Sequence, residues 1–267
     1  MWASLQAPLL FGLIAALFTT LGLVAVAARA EWSQRYADLF GLVAAGMLTS
    51  LALLHLVPEA FSQARQAHLW LTAGFFGGLV VSFAVRTLFP DAGGSAVPSE
   101  AFTPVLAIAI HSFIDGIVYA VTFAASFEAG VMAAAGLALH EFPEGVIAFA
   151  ILRRHGLSIR GSFLWAFLAA ALTTPLGVLF AGPFLQLVTP ETIGVLFALS
   201  GGLLLFVATG PLMAPLRDQP AGRGLGAVAF GVALAMIITL SPLGGHSHET
   251  HDHHGHDHTA RDFSARH

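Results

Sequence analysis

The chain has 267 residues, of which 57% are hydrophobic and only 10% are charged, and its mean hydropathy is +0.81. Soluble domains carry about 25% charged residues, so this composition indicates an integral membrane protein embedded in a lipid bilayer. The formal net charge is −4 and no basic cluster is present, which argues against a nucleic acid partner. The absence of Cys excludes disulfides, thiolate nucleophiles and thiolate metal sites.

Hydrophobic runs of about 20 residues, the length needed to cross the hydrocarbon core, predict an all-α bundle of eight transmembrane helices. The predicted spans are residues 5–28, 37–58, 69–89, 102–125, 128–151, 162–187, 192–213 and 224–243. The first span lacks the features of a cleaved secretory signal, so we expect it to be retained. The link around Ser126 and Glu128 is the shortest, which predicts that the fourth and fifth spans form an antiparallel hairpin. Residues 1–243 then form one transmembrane domain.

The arginines predict how this domain lies in the membrane. Eight of them fall on one side of an eight-helix threading: Arg29, Arg35, Arg86, Arg153, Arg154, Arg160, Arg217 and Arg223. Before the C-terminal tail only Arg65 falls on the other side. Because cytoplasmic loops carry the excess of basic residues, the larger group should be cytoplasmic. Both termini are then expected on the outer or periplasmic side of the cell (inner) membrane.

Several polar motifs interrupt the apolar spans. In the second span, "HLVPEA" places His55 and Glu59 one helical turn apart near the outer surface. The pair is interpreted either as a point where metal enters or as ordinary polar residues at the membrane interface. The fourth span contains "HSFIDG", residues 111–116, and the fifth contains "HEFPEG", residues 140–145. A charged side chain at the bilayer centre costs about 2.5–3.5 kcal/mol on insertion scales, so buried acids usually mark a functional pathway.

Helix geometry turns these two motifs into a candidate metal site. His111 and Asp115 lie at i and i+4 on one face, as do His140 and Glu144. Both pairs lie about halfway through the membrane, and together they offer two nitrogens and two carboxylates, a suitable ligand set for Zn²⁺. Cd²⁺, Fe²⁺, Mn²⁺ and Co²⁺ could use the same groups.

Neighbouring residues suggest a second site and irregular backbone. Ser112 and Glu141 lie one residue further round their helices and could form an adjacent metal site. Pro143 removes one backbone hydrogen bond and predicts a local distortion of the fifth span. In the sixth span, "TTPLG" brings the hydroxyl of Thr174 and a freed carbonyl beside Pro175, a second point of irregular backbone. The alternative for Ser112 and Thr174 is that they only join helices through hydrogen bonds.

After Pro242 the composition changes abruptly to a polar tail, residues 244–267, which we expect to be disordered. Its histidines are interleaved with acids: His246, His248, His251, His253, His254, His256 and His258. Such tracts bind Zn²⁺, Ni²⁺ or Cu²⁺ loosely, so the tail either concentrates metal near the pore mouth or simply remains solvated.

"HSFIDG" followed by "HEFPEG" within eight helices resembles the ZIP (Zrt/Irt-like) divalent-metal transporters, in their bacterial form, and "HLVPEA" resembles the family's second-helix motif. The resemblance implies an inverted-repeat fold and metal uptake into the cytoplasm by alternating access. It assigns the first metal site to the two pairs in the fourth and fifth spans, and a second site to Ser112 and Glu141 with a bridging Glu144. The family often has Asn where Ser112 stands and Glu where Thr174 stands, so one strong site is expected.

Other functions remain open at this stage. An intramembrane zinc-dependent hydrolase could use Glu141 as a general base, although "HEFPE" lacks the second His of the zincin motif. A metal exporter and a non-transporting metal sensor are further alternatives. No Ser-His-Asp arrangement stands out, so no catalytic residues are predicted and the protein is not expected to be an enzyme. Small residues in "GFFGG" and "SGG" leave a homodimer open.

Overall fold

The computed structural model describes residues 2–88, 99–185 and 187–240. Throughout these three ranges the secondary structure is helical, with turns between the helices and no strand. Eight helices are long and apolar enough to cross a membrane: α1 Leu5–Ala27, α2 Ala37–Gln63, α3 Ala67–Leu88, α4 Glu100–Ala125, α5 Gly130–Arg154, α6 Ile159–Phe184, α7 Pro190–Arg217 and α8 Ala221–Leu240. The predicted all-α architecture with eight candidate spans is confirmed, and it is that of a multi-pass membrane protein.

The connections follow from the local sequence. Ser126 alone interrupts the helical residues between α4 and α5, because the preceding helix ends at Ala125 and the next begins at Phe127. These two helices therefore form the antiparallel hairpin that the short link predicts. Between α1 and α2 a short helix, Ala30–Arg35, occupies the link. The second span continues past the predicted residue 58 because Gln63 donates a hydrogen bond to Glu59 one turn earlier, which satisfies a polar last turn.

Glycines bring the helices together in four close pairs. At one glycine on each helix, an added Cβ would lie 2.0–2.2 Å from a carbonyl oxygen of the paired helix. The pairs are Gly22 with Gly145 for α1 and α5, Gly46 with Gly231 for α2 and α8, Gly74 with Gly202 for α3 and α7, and Gly116 with Gly177 for α4 and α6. Small residues allow this backbone-to-backbone contact, which drives helix association where lipid removes the hydrophobic driving force.

Burial places α4 and α5, together with α2 and α7, toward the centre of the bundle. In their most apolar stretches, 67% of the residues of α4 and 61% of those of α5 are buried, against 11% in α3 and 17% in α8. The helices that carry the two His-plus-acid motifs are therefore enclosed by protein, whereas α3 and α8 present most of their surface to lipid.

Two of the described helices contain a π-helical segment. Five-residue π-helical segments occupy Ala52–Leu56 in α2 and Phe167–Ala171 in α6. Each segment lies just upstream of a proline, Pro58 or Pro175, whose ring cannot fit under a regular α-helical turn. The irregular backbone expected in the sixth span is present, whereas the fifth helix stays α-helical on both sides of Pro143.

Candidate metal centre

The two predicted pairs lie at the middle of their helices. The midpoint of α4 falls between residues 112 and 113, and that of α5 falls at residue 142. His111, Asp115, His140 and Glu144 are only 0–3% exposed. Since ionisable groups are costly at this depth, they need either one another or a cation as a partner.

The structure brings these side chains together. The Nε2 atom of His140 lies 3.0 Å from Oδ2 of Asp115, and Nε2 of His111 lies 3.6 Å from the same oxygen. The two imidazole rings are stacked with their centroids 5.6 Å apart. His111, His140 and Glu144 each offer one ligand atom within 4.8 Å of the others. A Zn²⁺ ion with bonds of about 2.0–2.2 Å to nitrogen and oxygen would fit among them after a small contraction.

Several polar atoms around this cluster have no hydrogen-bond partner among the described residues. They are Nε2 of His111, Oδ1 of Asp115, Oε2 of Glu144 and Oε1 of Glu141. A buried polar atom without a partner costs about 1–3 kcal/mol. Four such atoms on two adjacent helices form an electron-rich centre that a divalent cation would stabilise.

Ser112 supports Glu144. Its hydroxyl donates to Oε1 of Glu144 at 2.8 Å and also lies 3.0 Å from the carbonyl oxygen of Ile108. This contact holds one carboxylate oxygen of Glu144 and leaves Oε2 for a metal. Ser112, which was predicted for a second site, therefore also orients a carboxylate of the first cluster.

Glu141 faces a different helix. It is fully buried, and the hydroxyl of Thr19 in α1 donates to its Oε2 atom. Thr174 is also fully buried, and its carbonyl oxygen lies against Gly116 of α4. The residues predicted for a second site, Ser112, Glu141 and Thr174, thus lie on or against α4 and α5, which carry the first site. One carboxylate oxygen of Glu141 is already hydrogen-bonded to Thr19.

His55 and Glu59 are not part of the close cluster. His55 is half-buried in the π-helical segment of α2, with its ring 6.4 Å from that of Phe197, and it is close enough to Asp115 to interact with it electrostatically. Glu59 lies one turn further along and accepts the hydrogen bond from Gln63. The histidines predicted to capture metal in the tail lie outside the described residues.

Two buried hydroxyls beside the site were not anticipated. Thr19 contacts Glu141, and the Oγ atom of Ser200 in α7 lies 3.3 Å from Nδ1 of His111. The sequence carries only a weak signal for either, because an isolated Ser or Thr in an apolar helix commonly bonds to its own backbone. Their partners are 122 and 89 residues away, so the packing of the helices had to be known first.

Comparison with known proteins agrees with this geometry. Residues 90–239, more than half of the chain, match the family of ZIP zinc transporters. Zinc transporter ZIP4 of Homo sapiens is 35% identical over 116 residues, 41% of this chain and 17% of that protein. Zinc transporter ZIP13 of Pongo abelii is 29% identical over 207 residues, 68% of this chain and 60% of that protein.

A third relative is the metal cation symporter ZIP8 of Rattus norvegicus, which is 27% identical over 128 residues, 47% of this chain and 26% of that protein. The matched region spans less than two thirds of the length of each of these relatives. The family match covers α4 to α8 and therefore both His-plus-acid motifs. It includes α6, which packs on α4 through glycines, but not α1, which packs on α5 in the same way. This chain belongs to the ZIP zinc transporter family.

Proposed function

We propose that this protein carries a divalent metal ion, Zn²⁺ in the first place, across the membrane through the site between α4 and α5. The observation that carries the proposal is the buried group of His111, His140 and Glu144, with Asp115 against both imidazoles, at the midpoint of two enclosed helices. Intramembrane ionisable groups in such a position typically mark an ion pathway. The ZIP family of transporters, to which the chain belongs, has the same function class.

The ligand chemistry favours Zn²⁺. Two imidazole nitrogens and two carboxylates match the borderline character of Zn²⁺, and no thiolate is available to favour a softer metal. Cd²⁺, Fe²⁺, Mn²⁺ and Co²⁺ are secondary substrates on the same chemistry. Glu141 and Ser112, both in contact with or adjacent to the main cluster, form an auxiliary region in which a second ion binds more weakly.

The proposed mechanism is alternating access in an inverted repeat. The four glycine contacts join α1 to α5, α2 to α8, α3 to α7 and α4 to α6. Exchanging α1 with α6, α2 with α7, α3 with α8 and α4 with α5 converts this set of pairs into itself. Each exchanged helix crosses the bundle in the opposite direction. Such pseudo-symmetry is the arrangement expected of an inverted repeat, and it supports a carrier in which one group of helices moves against another around a site at the midplane.

The proposed direction of transport, uptake into the cytoplasm, is the one that the family resemblance implies, and the proposed orientation says which end of the bundle would receive the metal. With the eight arginines in the cytoplasm, both termini lie outside and the His55 end of α2 faces the outer or periplasmic side. Metal would then pass from the side of His55 and Glu59 to the midplane site and on to the cytoplasm. The His-rich tail, residues 244–267, would hold metal on the side from which it is taken up.

An intramembrane hydrolase is not favoured. The family comprises transporters, and Glu141, the acid that the hydrolase hypothesis assigns as the base, accepts a hydrogen bond from Thr19 in α1. No observation in the described residues supports a sensor or an exporter above the uptake carrier.

The test is uptake of ⁶⁵Zn²⁺ into liposomes that contain the purified protein. We expect saturable uptake by the wild type and none by Glu144→Ala, because the substitution removes a ligand of the midplane cluster. Glu128→Ala is the matched control, since Glu128 is an exposed acid at the start of α5's helical region and should leave uptake unchanged. A wild-type protein that binds zinc without moving it, or uptake that survives Glu144→Ala, would contradict the proposal.

A further inference from the structure

One polar contact reaches the metal cluster from a helix outside the α4–α5 hairpin. The Oγ atom of Ser200 in α7 lies 3.3 Å from Nδ1 of His111 in α4, and both residues are almost completely buried, at 1% and 2% exposure. The other ring nitrogen of His111, Nε2, faces Asp115 and has no hydrogen-bond partner among the described residues. The ring therefore stands between Ser200 on one side and the ligand cluster on the other.

This arrangement fixes how His111 can bind a metal. A neutral imidazole carries its hydrogen on one nitrogen and a lone pair on the other. For Nε2 to bind the ion, the hydrogen must be on Nδ1, which then donates to Ser200 Oγ. A metal-binding His almost always donates its second N–H to an outer partner, and loss of that partner typically weakens metal affinity 10–100-fold.

The contact also crosses between two sets of helices. One set contains α1, α4, α5 and α6, which are joined by two glycine pairs and the α4–α5 hairpin; the other contains α2, α3, α7 and α8, which are joined by the other two pairs and the packing of α7 on α2. Ser200 lies two residues before Gly202, through which α7 packs closely on α3, whereas Gly116 ties α4 closely to α6. A sliding motion of α4 and α5 relative to α3 and α7 would separate Nδ1 of His111 from Ser200 Oγ. A hydrogen bond that is already 3.3 Å long tolerates little further separation.

We propose that Ser200 is a positioning residue for His111. In the described conformation Ser200 raises the metal affinity of the site, and its hydrogen bond to His111 breaks when the two helix sets move apart. This inference rests on the proposed function, because it assigns Ser200 a role in the metal site of that function. It makes tight binding a property of one state and weaker binding, hence release, a property of the other.

The first experiment is titration calorimetry of the purified full-length protein in detergent with Zn²⁺. We expect Ser200→Ala to raise the Kd for Zn²⁺ 10–100-fold. Ser162→Ala is the matched control, since Ser162 is a fully buried serine of α6 whose hydroxyl has no hydrogen-bond partner among the described residues. The control should leave the Kd within about twofold of the wild type. Equal Kd values for Ser200→Ala and the wild type would overturn the inference.

Two further comparisons separate positioning from packing. Thr and Val have nearly the same shape and would cause similar strain, but only Thr keeps the hydroxyl. The Kd of Ser200→Val for Zn²⁺ should therefore be 10–100-fold higher than that of Ser200→Thr. In a His111→Ala background, Ser200→Ala should have no further effect on the Kd. An equal effect with and without His111 would assign the loss to packing and overturn the inference.

The outcomes also distinguish this inference from the proposed function. A wild type that binds and transports Zn²⁺ while Ser200→Ala binds it equally well leaves the transporter standing and removes only the role of Ser200. A wild type that neither binds nor transports Zn²⁺ overturns both.

Discussion

At the scale of single residues, the hydroxyl of Thr19 has an unusual position. It lies against Oε2 of Glu141 and 3.2 Å from the carbonyl oxygen of Ala15, and all of these groups are buried. The threonine next to it, Thr20, donates only to the carbonyl oxygen of Ala16 in its own helix. Thr19 therefore has a long-range partner that Thr20 lacks, and it links α1 to the acid beside the metal cluster.

Replacing Thr19 by Val should destabilise the protein. Val has the shape of Thr but cannot donate, so Glu141 would lose the hydrogen bond on Oε2 while remaining buried. Leaving a buried polar group unsatisfied costs about 1–3 kcal/mol. We expect Thr19→Val to lower the melting temperature in detergent, measured by tryptophan fluorescence, with Thr20→Val causing a smaller change. Equal melting temperatures for the two variants would show that the contact with Glu141 adds no stability.

At the scale of helices, the contact between α4 and α6 positions the cluster. An added Cβ at Gly116, which follows Asp115 directly, would lie 2.0 Å from the carbonyl oxygen of Thr174. Gly177 makes the reciprocal approach to the carbonyl oxygen of Phe113. The backbone that carries Asp115 can thus rest on α6 only because both positions lack a side chain.

Gly116→Ala should separate these two helices. Because the Cβ would meet backbone rather than a movable side chain, α4 must shift, and overpacking of this kind costs about 1–3 kcal/mol. We expect a lower melting temperature and weaker zinc binding, measured by calorimetry. Gly77→Ala in α3 is the control, since nothing lies within 4 Å of its added Cβ. If Gly116→Ala melted and bound zinc as Gly77→Ala does, the close approach would not be required.

At the scale of the whole molecule, two polar contacts join the set of α1, α4, α5 and α6 to the set of α2, α3, α7 and α8. Ser200 meets His111 at the midplane, and the Nε atom of Arg154 at the end of α5 lies 3.1 Å from Oδ1 of Asp38 at the start of α2. Both contacts hold the described conformation. If the proposed alternating access moves α4 and α5 against α2 and α7, each contact would oppose that motion and would have to break during it.

The parts of this architecture that the sequence could predict depend on local spacing. The i, i+4 spacing placed His111 with Asp115 and His140 with Glu144. The short link around Ser126 and Glu128 implied that their helices are antiparallel neighbours. The pairing of the other helices depends on which of 28 glycines approach a carbonyl oxygen of another helix. Such approaches depend on how the helices pack, which cannot be predicted from the spacing of residues along the sequence. The contact between Ser200 and His111 could not be predicted for the same reason.

The orientation of the molecule can be tested with single cysteines, because the chain contains none. Gln66, between α2 and α3, and Gly222, at the start of α8, are exposed and lie at opposite ends of the bundle in an eight-helix threading. Gly222 lies at the end that carries Arg217 and Arg223, which the positive-inside rule assigns to the cytoplasm. A membrane-impermeant maleimide should therefore label Gln66→Cys in intact cells but label Gly222→Cys only after permeabilisation. The reverse pattern would place both termini and the His55 end of α2 in the cytoplasm, which would contradict the proposed orientation. Labelling of both variants in intact cells would contradict the eight-helix threading itself.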